Sequence, residues 1–172
     1  SNAETIVNPG AARVANPVPV VDAISGRVVL ITMTQQLGAG CSPEPSNCSC
    51  EATGGALLEA RLSDDDGESW GEPIDITDSV LDPAGNSILI GPSHGIQLTD
   101  GALLIPAMHR RTGDGKRGGH LLRSDDSGET WSIFASETES PVNVNESTAA
   151  ELADGRLLVN TRHQLGAPDV TA

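Results

Sequence analysis

Aromatic side chains are almost missing from this sequence. Its 172 residues hold two Trp, one Phe and no Tyr. A core must therefore come from Val, Leu and Ile, whose full burial contributes on the order of 1.5–3 kcal/mol each, with Ala filling between them. Basic residues are few as well: ten Lys and Arg face 24 Asp and Glu, for a net charge of −14. A surface of that sign repels a phosphate backbone, which excludes nucleic acid as the partner. Arg110, Arg111, Lys116 and Arg117 form the one local exception, and a solvated loop is the expected reading for them. No apolar run approaches the roughly 18 residues of a membrane-spanning helix. No stretch keeps a 3.6-residue apolar period beyond a turn or two, which argues against a helical fold.

Metal and cofactor chemistry also lack their signatures. Cys41, Cys48 and Cys50 fall in one loop, "CSPEPSNCSC". Three thiols do not make a four-ligand zinc site, and a local disulfide from Cys41 to Cys48 or Cys50 is the reading for an exported protein. His94, His109, His120 and His163 show no metal-ligand spacing. The "GDGKRGG" run at 113–119 lacks the strand-to-helix setting of a phosphate loop. No metal and no cofactor are expected. Ser1-Asn2-Ala3 reads as the remnant of an expression tag and is set aside.

What is present is punctuation and repetition. Nineteen Gly and 11 Pro separate short β-branched runs such as "RVVLITM", "ALLIPAM" and "RLLVN", the pattern of an all-β chain of hairpins. "DAISGRVVLITM" at 22–33, "TDGALLIPAM" at 99–108 and "ADGRLLVNTR" at 153–162 share a turn ending in Gly followed by a strand. The first two are each followed by a second strand pair closed by an acidic octapeptide, "SDDDGESW" at 63–70 and "SDDSGETW" at 124–131. Four-stranded units in series are blades of a β-propeller. The expected units are 17–77, 93–138 and the opening hairpin of a third at 146–162, all within one domain over 4–172.

Each octapeptide position has a physical task. Ser63, Asp65, Gly67, Ser69 and Trp70 fill the pattern in one copy, and Ser124, Asp126, Gly128, Thr130 and Trp131 in the other. The Asp accepts backbone N–H bonds inside its own loop, the Gly permits a left-handed turn, and the Trp folds under the turn to bury apolar surface. The pattern resembles the Asp box of sialidases and related propellers, which staples a hairpin and does not catalyse. Three further stretches resemble exo-sialidases: "NPVPVVDAISGRVVLI" at 16–31, "GPSHGIQLTDGALLIPA" at 91–107 and "NESTAAELADGRLLVNTRHQ" at 145–164. The resemblance covers nearly the whole chain outside the tag and an insertion at about 38–55.

That resemblance implies part of a six-bladed sialidase propeller and a retaining glycoside hydrolase that removes terminal sialic acid from sialylated glycans. Such enzymes use a Tyr nucleophile, a neighbouring Glu that takes the Tyr proton, an Asp general acid/base and three arginines on the substrate carboxylate. Glu146 matches that Glu and Arg162 matches the second arginine. The chain has no Tyr, Asp22 belongs to a hairpin turn and is not the acid/base Asp, and the remaining arginines match no position here. Met108 and Arg110 stand where relatives often carry pocket aromatics, and His94 is expected as a hydrogen-bonded structural residue, the alternative being that it helps shape the site floor. The chain thus reads as the middle of a sialidase, inactive by itself and from a secreted or cell-surface bacterial protein. Its partners are then sialylated glycans, with the rest of its own propeller or a second copy covering its open faces. The alternative is a non-catalytic Asp-box propeller that binds glycan or protein. If Ala153, Asp154 and Gly155 close a three-residue loop, Leu152 faces Arg156 and Glu146 faces Arg162 across one hairpin.

Overall fold

Val18, Val20, Val29, Ile31, Met33, Leu58 and Ala60 recur at every second position of their strands, and all are buried. An extended strand turns alternate side chains to opposite faces, so this spacing gives each sheet one apolar face to stack on its neighbour. The computed structural model describes residues 5–7, 13–37, 52–81, 85–111, 117–136 and 144–163. Cys41, Cys48, Cys50 and Lys116 lie outside the described residues.

The first sheet has the order β1-β2-β3-β4, from β1 (Arg13–Val21), β2 (Val28–Leu37), β3 (Ala52–Ser63) and β4 (Ile74–Asp75). A short helix, α1 (Thr77–Val80), follows and buries Val80. The second sheet is built from β5 (Gly85–Ile90), β6 (Ile96–Gln97), β7 (Leu103–Arg111), β8 (Arg117–Ser124) and β9 (Ser132–Ser136). Its order is β5-β7-β8-β9, with β6 also paired to β7. This sheet begins before residue 93, the boundary expected from the repeat. Gly85–Ile90 and Ile96–Gln97 together make one first strand interrupted at Gly91–Gly95, and the Gly-Pro of the interruption reads as a unit start. The third sheet is the hairpin of β10 (Val144–Glu151) and β11 (Leu157–His163). Every pairing is antiparallel.

The sheets stack face to face, as propeller blades do. Between the first and second lies the main core, with Val29, Ile31 and Leu58 packed towards Ile88, Leu103, Ile105, Leu122 and Trp131. A smaller core of Leu98, Ala102, Leu104, Leu121 and Ala149 joins the second sheet to the third. On the third hairpin Leu158 and Val159 remain 56% and 44% exposed.

The two acidic octapeptides fold alike. Ser63 Oγ donates to Asp65 Oδ1 at 2.8 Å, and Ser124 Oγ to Asp126 Oδ1 at 2.9 Å. The N–H groups of Ser69 and Thr130 each donate to the same Asp oxygen at 2.8 Å. Both indoles reach back, Trp70 Nε1 to Gly67 O at 3.2 Å and Trp131 Nε1 to Gly128 O at 3.0 Å. Hydrogen bonds from Ser69 hold the Asp65 carboxyl below its usual range. At Asp126 burial pushes the other way, yet the bonds from Thr130 and Ser124 prevail and the carboxyl is again held down. Trp131 is fully buried, whereas Trp70 is only partly so. The second box lies on the first sheet, where Gly128 meets Val29 and Leu62.

Sheets are also tied by side chains at the turn end. Asp22 is buried and accepts hydrogen bonds from Ser127 Oγ at 2.6 Å, Ser25 Oγ at 2.7 Å, Gln97 Nε2 at 2.5 Å and the N–H of Ile24 at 2.9 Å. Those donors, Ser127 first and Ser25 next, hold its carboxyl well below the ordinary carboxylate range. Glu151 does the corresponding work one sheet on, accepting from the N–H and hydroxyl of Thr99 at 2.7 and 2.8 Å.

Candidate active site

The candidate site is built on the third hairpin, and its register is set at the far turn. The N–H of Leu152 donates to Arg156 O at 2.8 Å, the N–H of Gly155 to Leu152 O at 2.9 Å, and Gly155 sits at φ +83°. Ala153-Asp154-Gly155 is therefore a three-residue loop, as expected from the sequence. Pairing runs from Glu151 opposite Leu157 to Ser147 opposite Thr161. The register then shifts between Ser147 and Val144, which pairs His163, so Asn145 and Glu146 together oppose Arg162. That two-against-one arrangement is a β-bulge, a device that re-aims a side chain at the cost of one ladder step. Glu146 and Arg162 still meet: Arg162 Nη1 donates to Glu146 Oε2 at 2.6 Å. The side chains are 55% exposed for Arg162 and 41% for Glu146. An ion pair this open to water stabilises by under about 1 kcal/mol, so stability alone gives little reason for it.

The first strands of all three sheets break at the same level. In β1 the register shifts between Ala15 and Val18, and Asn16 adopts φ +52°. In the second sheet the interruption is Gly91–Gly95, and in the third it is the bulge at Asn145-Glu146. These breaks touch one another in sequence. Asn16 Nδ2 donates to Ile90 O at 2.7 Å, and the N–H of Gly95 to Pro19 O at 2.9 Å. A Cβ on Gly91 would lie 3.2 Å from Glu146 Cα and from the Ser147 nitrogen, so the second sheet passes close against the backbone of the bulge. His94 is exposed and its Nδ1 donates to Gly95 O at 3.0 Å, which leaves Nε2 as the free ring nitrogen.

Side-chain packing elsewhere was not foreseen. His109 and His120 are buried together, with their Nδ1 atoms 3.1 Å apart and ring centroids 5.3 Å apart. One ring must donate and the other accept across that contact. Among the described residues no group of three or more His, Cys, Asp or Glu is placed to hold a metal ion. An apolar cavity of about 310 Å³ lies between the second and third sheets, bordered by Leu121, Ala135, Val144 and Val159.

Stacked antiparallel sheets stapled by Asp boxes are the architecture of a sialidase-type propeller. The model of the BNR repeat-like domain matches residues 1–170. The chain belongs to this BNR-repeat, sialidase family. It is 33% identical over 111 residues to a sialidase of Bacteroides fragilis, covering 64% of this chain and 20% of that protein. It is 30% identical over 168 residues to an exo-alpha-sialidase of Arthroderma benhamiae, covering 91% and 37% respectively. Human sialidase-4 is 35% identical over 133 residues, covering 69% of this chain and 26% of the relative. The chain thus spans little more than a third, at most, of each of these relatives. Among solved structures, the Hadza microbial sialidase Hz136 superposes with a TM-score of 0.70 at 28% identity, over 90% of this chain and 30% of that one. The Trypanosoma rangeli sialidase superposes with a TM-score of 0.64 at 18% identity, over 88% and 25%, a likeness of fold alone.

Proposed function

We propose that the full-length protein is an exo-α-sialidase and that this chain carries two of its site residues, Glu146 and Arg162. The observation that carries the reading is the 2.6 Å contact between them across a β-bulge, in a chain of sialidase family. Arg162 presents a planar fork of N–H donors matched to a carboxylate, and only one of these is spent on Glu146. Its role is to hold the carboxylate of a terminal sialic acid. Glu146 then stands as the base for a Tyr nucleophile, taking the phenol proton as the oxygen attacks the anomeric carbon, while the glycosidic bond breaks and the aglycone leaves with a proton from the acid/base Asp that the resemblance implies. The sequence has no Tyr, so the 172-residue chain alone is expected to hydrolyse no fluorogenic sialoside. Sialylated glycans are the partner, and the open face of the third hairpin is covered by further strands of the same propeller or by a second copy.

The test is kinetic, in the full-length protein. Glu146→Gln should lower kcat on the order of 10²-fold or more, the usual contribution of a positioned base, with a smaller change in KM. Arg162→Ala should weaken binding of a carboxylate-bearing inhibitor by roughly 10–100-fold, as expected for a charge-assisted pair. Normal kinetics in both variants would make Glu146–Arg162 an ordinary strand-edge ion pair and overturn the assignment.

A further inference from the structure

Two hydroxyl groups lie behind the bulge that carries Glu146. Asn145 and Ser147 flank Glu146 on β10, and Thr161 precedes Arg162 on β11. Ser147 pairs directly with Thr161, and their side-chain oxygens are 2.8 Å apart. Ser147 Oγ also donates to Asn145 O at 3.0 Å. Ser147 is buried and Thr161 half-buried. Consecutive strand residues turn to opposite faces, so the Thr161 side chain points away from the side on which Arg162 meets Glu146.

Proton accounting gives the contact a direction. A hydroxyl has one proton to donate, and a carbonyl oxygen only accepts. The Ser147 proton is spent on Asn145 O, so across the 2.8 Å contact Thr161 donates and Ser147 accepts. The chain of bonds thus runs from the neighbour of Arg162 on one strand to the neighbour of Glu146 on the other. It closes where the ladder is out of step, between Ser147 and Val144. Regular pairing does not hold the backbone at such a step, and a serine bonded to a carbonyl two residues back supplies a local substitute. From the second sheet Gly91 closes in, since a Cβ there would lie 3.2 Å from Glu146 Cα and from the Ser147 nitrogen.

We propose that Ser147, oriented by Thr161, is a positioning residue that fixes the backbone on both sides of Glu146 and so aims its carboxylate at the proton it removes. The inference rests on the sialidase reading above. A cross-strand Ser–Thr pair that only stabilised the sheet would need no bond into the bulge; here the second bond ends on the residue before Glu146. A general base works only within hydrogen-bond reach of its proton, and a misplacement of about 1 Å costs on the order of 10²-fold in rate. Groups held to that tolerance are those whose supporting residues are themselves hydrogen-bonded. The role needs no contact with substrate, in keeping with the place of both hydroxyls on the buried face.

The experiment measures kcat and KM of the full-length protein on a fluorogenic sialoside, together with the affinity for a carboxylate-bearing inhibitor. Ser147→Ala should lower kcat about tenfold, the loss expected from partial mis-aiming, while KM and inhibitor affinity change by less than about twofold. Thr161→Val keeps the side-chain shape, removes the donor and should lower kcat in the same way. Thr161→Ser keeps the donor and should retain the wild-type kcat. The decisive variant is double: if Ser147 acts through Glu146, adding Ser147→Ala to Glu146→Gln should cost no further kcat, because residues that act as a unit are not additive. Wild-type kcat in both Ser147→Ala and Thr161→Val overturns the positioning role. So does a double variant whose loss is the product of the two single losses, or a Ser147→Ala that loses inhibitor binding as much as kcat. With Glu146→Gln impaired, each of these results leaves the sialidase reading intact. A Glu146→Gln variant with wild-type kcat overturns that reading of the site, and the positioning role with it.

Discussion

Gly67 and Gly128 occupy the same position of the two Asp boxes with nearly the same backbone, φ +86° and +91°, yet their surroundings differ. A Cβ on Gly67 would meet nothing nearer than Trp70 Cζ2 at 3.6 Å, an ordinary contact. A Cβ on Gly128 would lie 2.5 Å from Val29 Cγ2, 3.0 Å from Val29 Cγ1 and 3.3 Å from Leu62 Cδ2. Val29 has no exposed surface and cannot swing aside. Replacing either glycine with alanine forces an L-residue into left-handed backbone, a cost of about 1–2 kcal/mol that the two positions share. Gly128→Ala adds overpacking of about 1–3 kcal/mol. Gly67→Ala should therefore cost about 1–2 kcal/mol and Gly128→Ala about 2–5 kcal/mol. Equilibrium urea unfolding of the two variants under one set of conditions measures the difference, which should be about 1–3 kcal/mol. Equal losses would refute the docking of the second box on the first sheet, because backbone strain would then be the whole effect.

The tryptophans give a parallel contrast: Trp131→Ala should cost about 3–5 kcal/mol and Trp70→Ala distinctly less, read from denaturation midpoints, because only Trp131 is fully enclosed. Asp22 gives a pH test. Its folded-state pKa lies below the unfolded value of about 3.9, so its contribution is complete above about pH 5 and is lost as pH falls below about 4 towards the folded value. Stability of the wild type should drop more steeply over that range than stability of Asp22→Asn, with the two curves converging at low pH. Parallel curves would mean that the carboxylate does not join the sheets. Inserting one alanine between Asp154 and Gly155 should shift the pairing of β10 with β11 by a residue, seen as loss of carboxylate-inhibitor binding with little change in far-UV circular dichroism.

The legible parts of this molecule are the local ones. The Asp boxes announce themselves because every donor and acceptor lies within eight residues of Ser63 or Ser124. The hairpin register of the third sheet follows from three turn residues for the same reason. What the sequence hides depends on distant partners. Asp22 looks like one more turn aspartate, since the donors that tie it to the second sheet, Gln97 and Ser127, lie 75 and 105 residues away. The bulge at Asn145-Glu146 is invisible until β11 lies beside it, because a bulge is a mismatch between two strands and neither carries it alone. Gly85–Ile90 reads as a connection, since the strand it begins is interrupted by Gly91 before it reaches Ile96. His109 and His120 lack any ligand-like spacing, and their contact follows only from the cross-strand pairing of β7 with β8.

The three-residue turn at Ala153-Gly155 also bears on how such a chain tolerates change in length. One end of each sheet holds turns that fix which side chains face each other, so a single insertion there moves Arg162 away from Glu146 although no site residue has been altered. Chain length is therefore constrained where those turns lie, because one added residue changes the partner of every residue in the strand that follows.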